Sequence, residues 1–393
     1  MSDSLLNIRG VTSAAINAGF NNNDLNLSVV SLTIGTTTSA VFTKNIFCAA
    51  SVTVAKKHLT KSPLALIINS GNANAGTGSQ GIENTVKTCE MLAKEIDIKV
   101  EQVLPFSTGV IGQQLDLSKF EIGVPEAVSQ LSEDGFGRIS RAILTTDLVE
   151  KTISRSFKVG KNTVTISGIA KGSGMIRPNM ATMLSFIFTD IEATQEELQS
   201  CLTVATNQSY NRITVDGDTS TNDACTLSAT AKSGINISDC LDKFQDSLNE
   251  VTKILAHKVV KDGEGASKFV EIRVTGGQTS EDCLEVAYSV AHSPLVKTAL
   301  FASDANWGRI LAAVGRANVS QLQIEDINIY LNDLPLITAG QPDEKYTEDD
   351  GSSEMSKSDI TITIEIGNSD NNESVWTTDL SYEYIKINSE YRS

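Results

Sequence analysis

The stretch "KGSGMIRPNMATMLSFIFTD", Lys171 to Asp190, changes character without a pause. Lys-Gly-Ser-Gly and Arg-Pro-Asn are turn chemistry, because glycine accepts positive φ and proline fixes φ while removing a donor. "MLSFIF" then reads as a fully buried strand, although a run this short is not separated from buried helix by periodicity alone. Any fold must therefore take a polar loop straight into its core, and Thr182, preceded by Ala181, stands at the seam. A threonine hydroxyl is a poor nucleophile near neutrality unless a base lies beside it, and the free α-amine of an N-terminal threonine is one such base. Cleavage before Thr182 would create that amine, whose reference pKa of ~7.7–8.0 suits proton transfer at working pH. The plainer alternative is that a β-branched residue simply starts a strand.

Around this seam, strands are predicted at "LSVVSLTI", "AVFT", "ALIIN", "VLPFST", "RSFKVG" and "NTVTISGIA", and helices at "IENTVKTCEMLAKEI" and "EDGFGRISRAILTT". Beyond it, helices are predicted at "EELQSCLTVATNQSYN", "DCLDKFQDSLNEVTKILAHKVVKDG" and "SPLVKTALF", and strands at "FVEIRVTG", "INIYLN" and "DITITIEIG". The acidic stretch from Gly340 to Asp359 reads as a surface loop. Strands and helices mix without a βαβ beat, so the fold class is α+β or a layered αββα design.

The chain has 393 residues and a net charge of −16, with 48 acids against 32 bases, so a nucleic-acid partner is not expected. The first twenty residues lack the basic start and apolar middle of a secretory signal, and no run approaches the ~18 apolar residues of a membrane span, so a cytoplasmic protein is expected. Six scattered cysteines without C-x-x-C and three histidines without a ligand pattern exclude an ordinary zinc site, and no metal is expected. "GTGSQG" (76–81) satisfies G-x-G-x-x-G, but "SGNANA" separates it from the preceding strand, so a glycine turn opening a helix fits better than a dinucleotide site. "DGEGASK" (262–268) reads as a helix C-cap with Gly263 at C′, and "DANWGR" (304–309) as a shaping turn. "FSTGVIG" (106–112) is a strand end and tight turn whose backbone N–H groups, with Thr108, are able to stabilise an oxyanion, as many turns are.

Taken in order, "NSGNANAGTG" (69–78), "STGVIG" (107–112), "AILTTD" (142–147), "AKGSGMIRPNMATML" (170–184), "DTSTND" (218–223), "DGEGASK", "SPLVKTALFASDANWGRI" (293–310) and "YIKINSEYRS" (384–393) resemble the glutamate N-acetyltransferase/ornithine acetyltransferase family, the ArgJ-type enzymes, over nearly the whole chain. The resemblance implies a layered αββα fold of the N-terminal-nucleophile, DmpA/ArgJ-like kind, and a precursor that cuts itself between Ala181 and Thr182. Residues 1–181 would form an α chain and 182–393 a β chain, associated as α2β2. Thr182 would take the acetyl group of N-acetylornithine as an ester and pass it to glutamate, with Thr108 and Gly109 as the oxyanion pair. Substrate contacts would fall to Thr145 or Thr146, which the pattern does not separate, and to Lys171, Thr182, Glu264, Asn388 and Ser393. No cofactor is implied, and acetyl-CoA stays open as a co-substrate. Gly76, Ala305 and "WTTDL" (376–380) stand where the family commonly has cysteine, cysteine and "WGCDL". The acidic stretch near Asp350 replaces what is more often a short helix, and Arg177 stands at a variable position beside the cleavage point. A peptidase or amidase of the same architecture is the rival activity, since water can also resolve an acyl ester.

Overall fold

The structure, a computed structural model, describes residues 5–21, 25–177, 183–320 and 322–390. The chain divides into two compact units, residues 1–211 with 218–259 and residues 212–217 with 260–393.

The first unit holds two sheets. One contains β1 (Val11–Ile16), β2 (Leu27–Leu32), β4 (Ala65–Asn72) and β5 (Val103–Val110) in that order, antiparallel except for the parallel β4–β5 pair. The other runs β3 (Thr37–Phe42), β9 (Ala224–Ala229), β8 (Leu184–Thr189), β7 (Asn162–Lys171) and β6 (Lys151–Val159), with only β8–β9 parallel. The sheets face each other across a core in which Leu66, Ile68, Leu104 and Phe106 meet Ile169, Leu184, Phe186 and Phe188. Phe106 and Phe186 pack edge to face at 5.1 Å, a favoured arrangement of two aromatic quadrupoles.

Helices α1 (Ala50–His58), α2 (Gly78–Glu95), α3 (Leu117–Ser129), α4 (Phe136–Ala142), α5 (Gln195–Asn207) and α6 (Leu241–Lys261) belong to the same layering. Cys89 and Leu92 of α2 and Phe120 and Val124 of α3 cover the outer face of the first sheet against Val29 and Ile67. On the second sheet, Gly168 leaves room for α6: a Cβ there would lie 2.9 Å from Leu255 Cδ1 and 3.2 Å from Val251 Cγ1. The order is thus α, β, β, α. All six residues of β8 are buried because both faces of its sheet are covered, which explains why "LSFIFT" carries no polar alternation.

The second unit is a six-stranded sheet of β13 (Gln341–Pro342), β12 (Leu334–Thr338), β11 (Asn328–Leu331), β14 (Asp359–Glu365), β10 (Phe269–Gly276) and β15 (Ser369–Thr378), in that order. Val270, Ile272, Ile362 and Ile364 pack on Val286 and Val290 of α7 (Ser280–Ala291), with α8 (Pro294–Phe301) and α9 (Trp307–Gly315) beside it. Asn306 of "DANWGR" caps α9 by accepting from Arg309 N. Two expectations are corrected here. The acidic stretch is not all loop: β13 and α10 (Glu348–Met355) lie in it, and Thr347 caps α10 by accepting from Asp350 N. The left-handed residue after α6 is Gly265, at φ +66°, rather than Gly263. The final helix described is α11 (Tyr382–Ser389), capped by Ser381. Among the described residues no helix is long and apolar enough to cross a membrane.

Candidate active site

At the end of β5, Ser70 pairs with Thr108 and Gly71 with Gly109. Gly109 has φ +129° and Gly71 φ +101°, and a Cβ on Gly109 would sit 2.3 Å from the carbonyl carbon of Gly71. Two glycines facing each other are what let these backbones approach so closely. Helix α2 starts at Gly78, inside "GTGSQG", and a Cβ on Gly81 would lie 1.9 Å from Thr77 Oγ1. Gly81 thus lies within the helix's first turn, where a side chain would strike Thr77 at the N-cap, while Gly76 and Gly78, at φ +70° and +62°, form the turn that opens the helix.

Lys171 ends β7 and is nearly fully buried. Its Nζ donates to Thr145 Oγ1 at 2.9 Å and to Thr108 Oγ1 at 3.3 Å, so three of the anticipated residues come together. Thr146 turns instead to Ser173, with 2.7 Å between their hydroxyls. Beneath them lies Asp147, whose Oδ1 accepts from Lys151 Nζ at 2.7 Å and from Gly172 N at 2.6 Å, while Oδ2 is 3.9 Å from Lys171 Nζ. Burial pushes the Asp147 carboxyl up, but Lys171 and Lys151, aided by hydrogen bonds from Lys151 and Gly172, outweigh it and hold the group at about 2.

Next to Lys171 across the sheet, Leu184 begins β8 and pairs with Lys171 on one side and Ala224 on the other. Met183 N donates to Asp223 Oδ1 at 2.8 Å, and Ala224 N donates back to Met183 O at 3.1 Å. Asp223 is completely buried, and Oδ2 has no hydrogen-bond partner among the described residues. Burial pushes its carboxyl well above the usual carboxylate range, against the opposing pull of the Met183 N–H, Lys171 and the Ser220 hydroxyl. The adjacent Asn222 donates to Ala73 O at 2.6 Å and Ser107 O at 2.8 Å, which stitches "DTSTND" to the ends of β4 and β5. Ala181 and Thr182 themselves lie outside the described residues.

In the second unit, Asn388 Nδ2 donates to Glu264 Oε2 at 2.8 Å and to Tyr384 O at 3.0 Å. The "DGEG" turn is pressed onto the start of α11: a Cβ on Gly265 would lie 2.5 Å from Tyr384 N, and Ser381 Oγ donates to Gly265 O at 2.6 Å. Two more of the anticipated residues are thus neighbours, and Ser393 lies outside the described residues. Sequence reasoning assigned no role to Lys151, Asp147 or Asp223. The last two stand inside quoted motifs, "AILTTD" and "DTSTND", but which group each faces depends on strand register that no short motif carries.

A sequence model of the ArgJ family matches residues 12–393. The arginine biosynthesis bifunctional protein ArgJ of Pseudomonas fluorescens (strain Pf0-1) is 48% identical over 364 residues, covering 91% of this chain and 90% of that protein. Its counterpart in Psychrobacter arcticus is 46% identical over 393 residues, 98% of this chain and 97% of the relative. The crystal structure of arginine biosynthesis bifunctional protein ArgJ from Bacillus halodurans is 33% identical with a TM-score of 0.51, and the whole of that chain matches 53% of this one.

Proposed function

The chain belongs to the ArgJ family of arginine-biosynthesis enzymes, and from that premise we propose that it moves the acetyl group of N-acetylornithine to glutamate through an ester on Thr182. The observation that carries this reading is the meeting of Lys171, Thr108 and Thr145 beside the start of β8, two residues beyond Thr182 in sequence. Thr182 Oγ attacks the acetyl carbon and its proton passes to the residue's own α-amine, which then protonates the departing ornithine nitrogen. Thr108 Oγ accepts from Lys171 and so keeps its own proton available for the oxyanion, together with the Gly109 N–H. With Asp223 neutral and Asp147 ionised between two lysines, the first unit's cluster keeps a surplus positive charge suited to a substrate carboxylate. In the first unit Thr145 rather than Thr146 is the substrate contact, and in the second unit Glu264, which accepts from Asn388, carries the charge that suits a substrate ammonium. Glutamate then attacks the ester and retraces the proton path.

Thr182 acquires its α-amine by self-cleavage after Ala181, and the two pieces, 1–181 and 182–393, stay associated as α2β2 in the cytoplasm. On a denaturing gel the purified protein gives two bands. The first is 181 of 393 residues of a 42.1 kDa chain, about 19 kDa, and the second, about 23 kDa, begins Thr-Met-Leu-Ser. A fully active protein that runs as one intact band contradicts the reading. Supplying acetyl-CoA in place of N-acetylornithine, with glutamate as acceptor, decides whether it is a second donor. Supplying neither acceptor nor CoA reveals any hydrolysis, the rival peptidase or amidase chemistry.

A further inference from the structure

Lys171 Nζ stands 3.9 Å from Asp147 Oδ2, too far for a hydrogen bond, although both side chains are buried and oppositely charged. Where water does not screen them, such a pair attracts strongly and tends to close. The hydrogen bonds around Asp147 oppose that closure. An ionised carboxylate offers about four lone-pair sites. Oδ1 accepts from Lys151 Nζ at 2.7 Å and from Gly172 N at 2.6 Å, and Oδ2 accepts from Thr145 N at 3.2 Å. Lys151 heads β6, and its register partner on β7 is Ala170, the residue before Lys171. Its side chain is fully buried, and its Nζ also donates to Val149 O at 3.3 Å. A buried lysine is costly unless it is paired, and no step of the acetyl transfer passes through this one.

We propose that Lys151 is a positioning residue for substrate recognition: by neutralising Asp147 it leaves the Lys171 ammonium directed at Thr108, Thr145 and the carboxylate of the amino-acid substrate. The inference deepens, and rests on, the reading of Lys171 as the residue that meets that carboxylate. Asp147 is the joint between the two lysines. Through Gly172 N it holds the backbone that follows Lys171, and through Thr145 N it holds the backbone of a threonine to which Lys171 donates. Burial raises the Asp147 carboxyl, yet the two lysines hold it at about 2, so it stays ionised near neutral pH and its charge needs a balance. With Lys151 present the three side chains carry one positive charge in surplus, whereas Lys171 and Asp147 alone would cancel. That surplus favours an anionic group over a neutral one of the same shape.

The test compares N-acetylornithine with its carboxamide, N-acetylornithinamide, as donors to saturating glutamate in the full-chain protein. The native protein prefers the carboxylate by ~10–100-fold in kcat/KM, the size of one charge-assisted hydrogen bond. Lys151→Met, which keeps much of the side chain's length without its charge, loses most of that preference, chiefly through a raised KM for N-acetylornithine. The double variant Lys151→Met/Asp147→Asn removes both charges, leaves Lys171 beside a neutral amide, and regains the preference. Lost packing alone would lower kcat/KM for both donors alike and keep their ratio at the native value, and it would make the double variant no better than the single. Either of those results overturns the proposal. If Lys151→Met does not fold, Lys151→Arg, which keeps the charge, and the double variant decide: preference retained in both supports the proposal, and preference lost in either overturns it. A native protein that treats the two donors equally defeats the reading of Lys171 and the proposal with it. A native preference that survives in Lys151→Met removes the role of Lys151 alone.

Discussion

A threonine that accepts from a lysine ammonium 3.3 Å away, as Thr108 does from Lys171, has its hydroxyl hydrogen turned elsewhere. Removing that donor by Thr108→Ala should lower turnover by ~10²–10³, with little change in thermal stability, because oxyanion donors act on the transition state. Steady-state kinetics on a folded variant check this, and unchanged turnover would remove Thr108 from the site. Asp147 makes a different demand. Its folded-state pKa, about 2, lies below the ordinary aspartate value, so its ionised form stabilises the fold above that ordinary value, and the contribution is lost as pH falls toward 2. Asp147→Asn removes the carboxylate that faces the buried Lys151 and Lys171 ammoniums, which costs about 3–5 kcal/mol near neutral pH. Urea midpoints of the native and variant proteins should therefore converge as the solution is acidified. A gap that stays constant with pH would contradict the assignment.

Elements differ in how openly the sequence announces them. The helices α2, α5 and α6 are long enough for a 3.6-residue pattern to register, and the apolar run of β8 reads correctly because nothing polar is needed on either face. β15 begins "SDNNES", with no apolar alternation, and it is a strand because β10 supplies its hydrogen bonds from Phe269 to Gly276. The helix α10, "EDDGSSEM", has a glycine and two serines among eight residues, so propensity argues against it. Its signal lay in the cap instead, with Thr347 followed by Glu348, Asp349 and Asp350 in the first turn, where negative charge meets the positive end of the helix dipole. Thr347→Ala should accordingly cost about 1 kcal/mol in denaturant unfolding. A change indistinguishable from zero would mean that the helix is held by packing alone.

Across the whole molecule, the motifs give the chemistry's participants and the fold gives their arrangement. "STGVIG", "AILTTD" and "AKGSGM" lie far apart in sequence, and the two facing sheets of the first unit bring Thr108, Thr145 and Lys171 to one place. What no motif could supply is the set of side chains behind them. Asp147 bridges two lysines and Asp223 holds Met183 only because β6, β7, β8 and β9 take the register they do. Everything in the proposed chemistry converges on one bond, the ester between an acetyl group and Thr182 Oγ. The direct measurement is mass spectrometry of the protein quenched in acid during turnover of N-acetylornithine without glutamate. The account predicts one added acetyl group on the first residue of the piece beginning Thr-Met-Leu-Ser, discharged when glutamate is added. Ornithine release with no acetylated Thr182 under any quench, together with intersecting initial-rate lines, would show direct transfer in a ternary complex and contradict it.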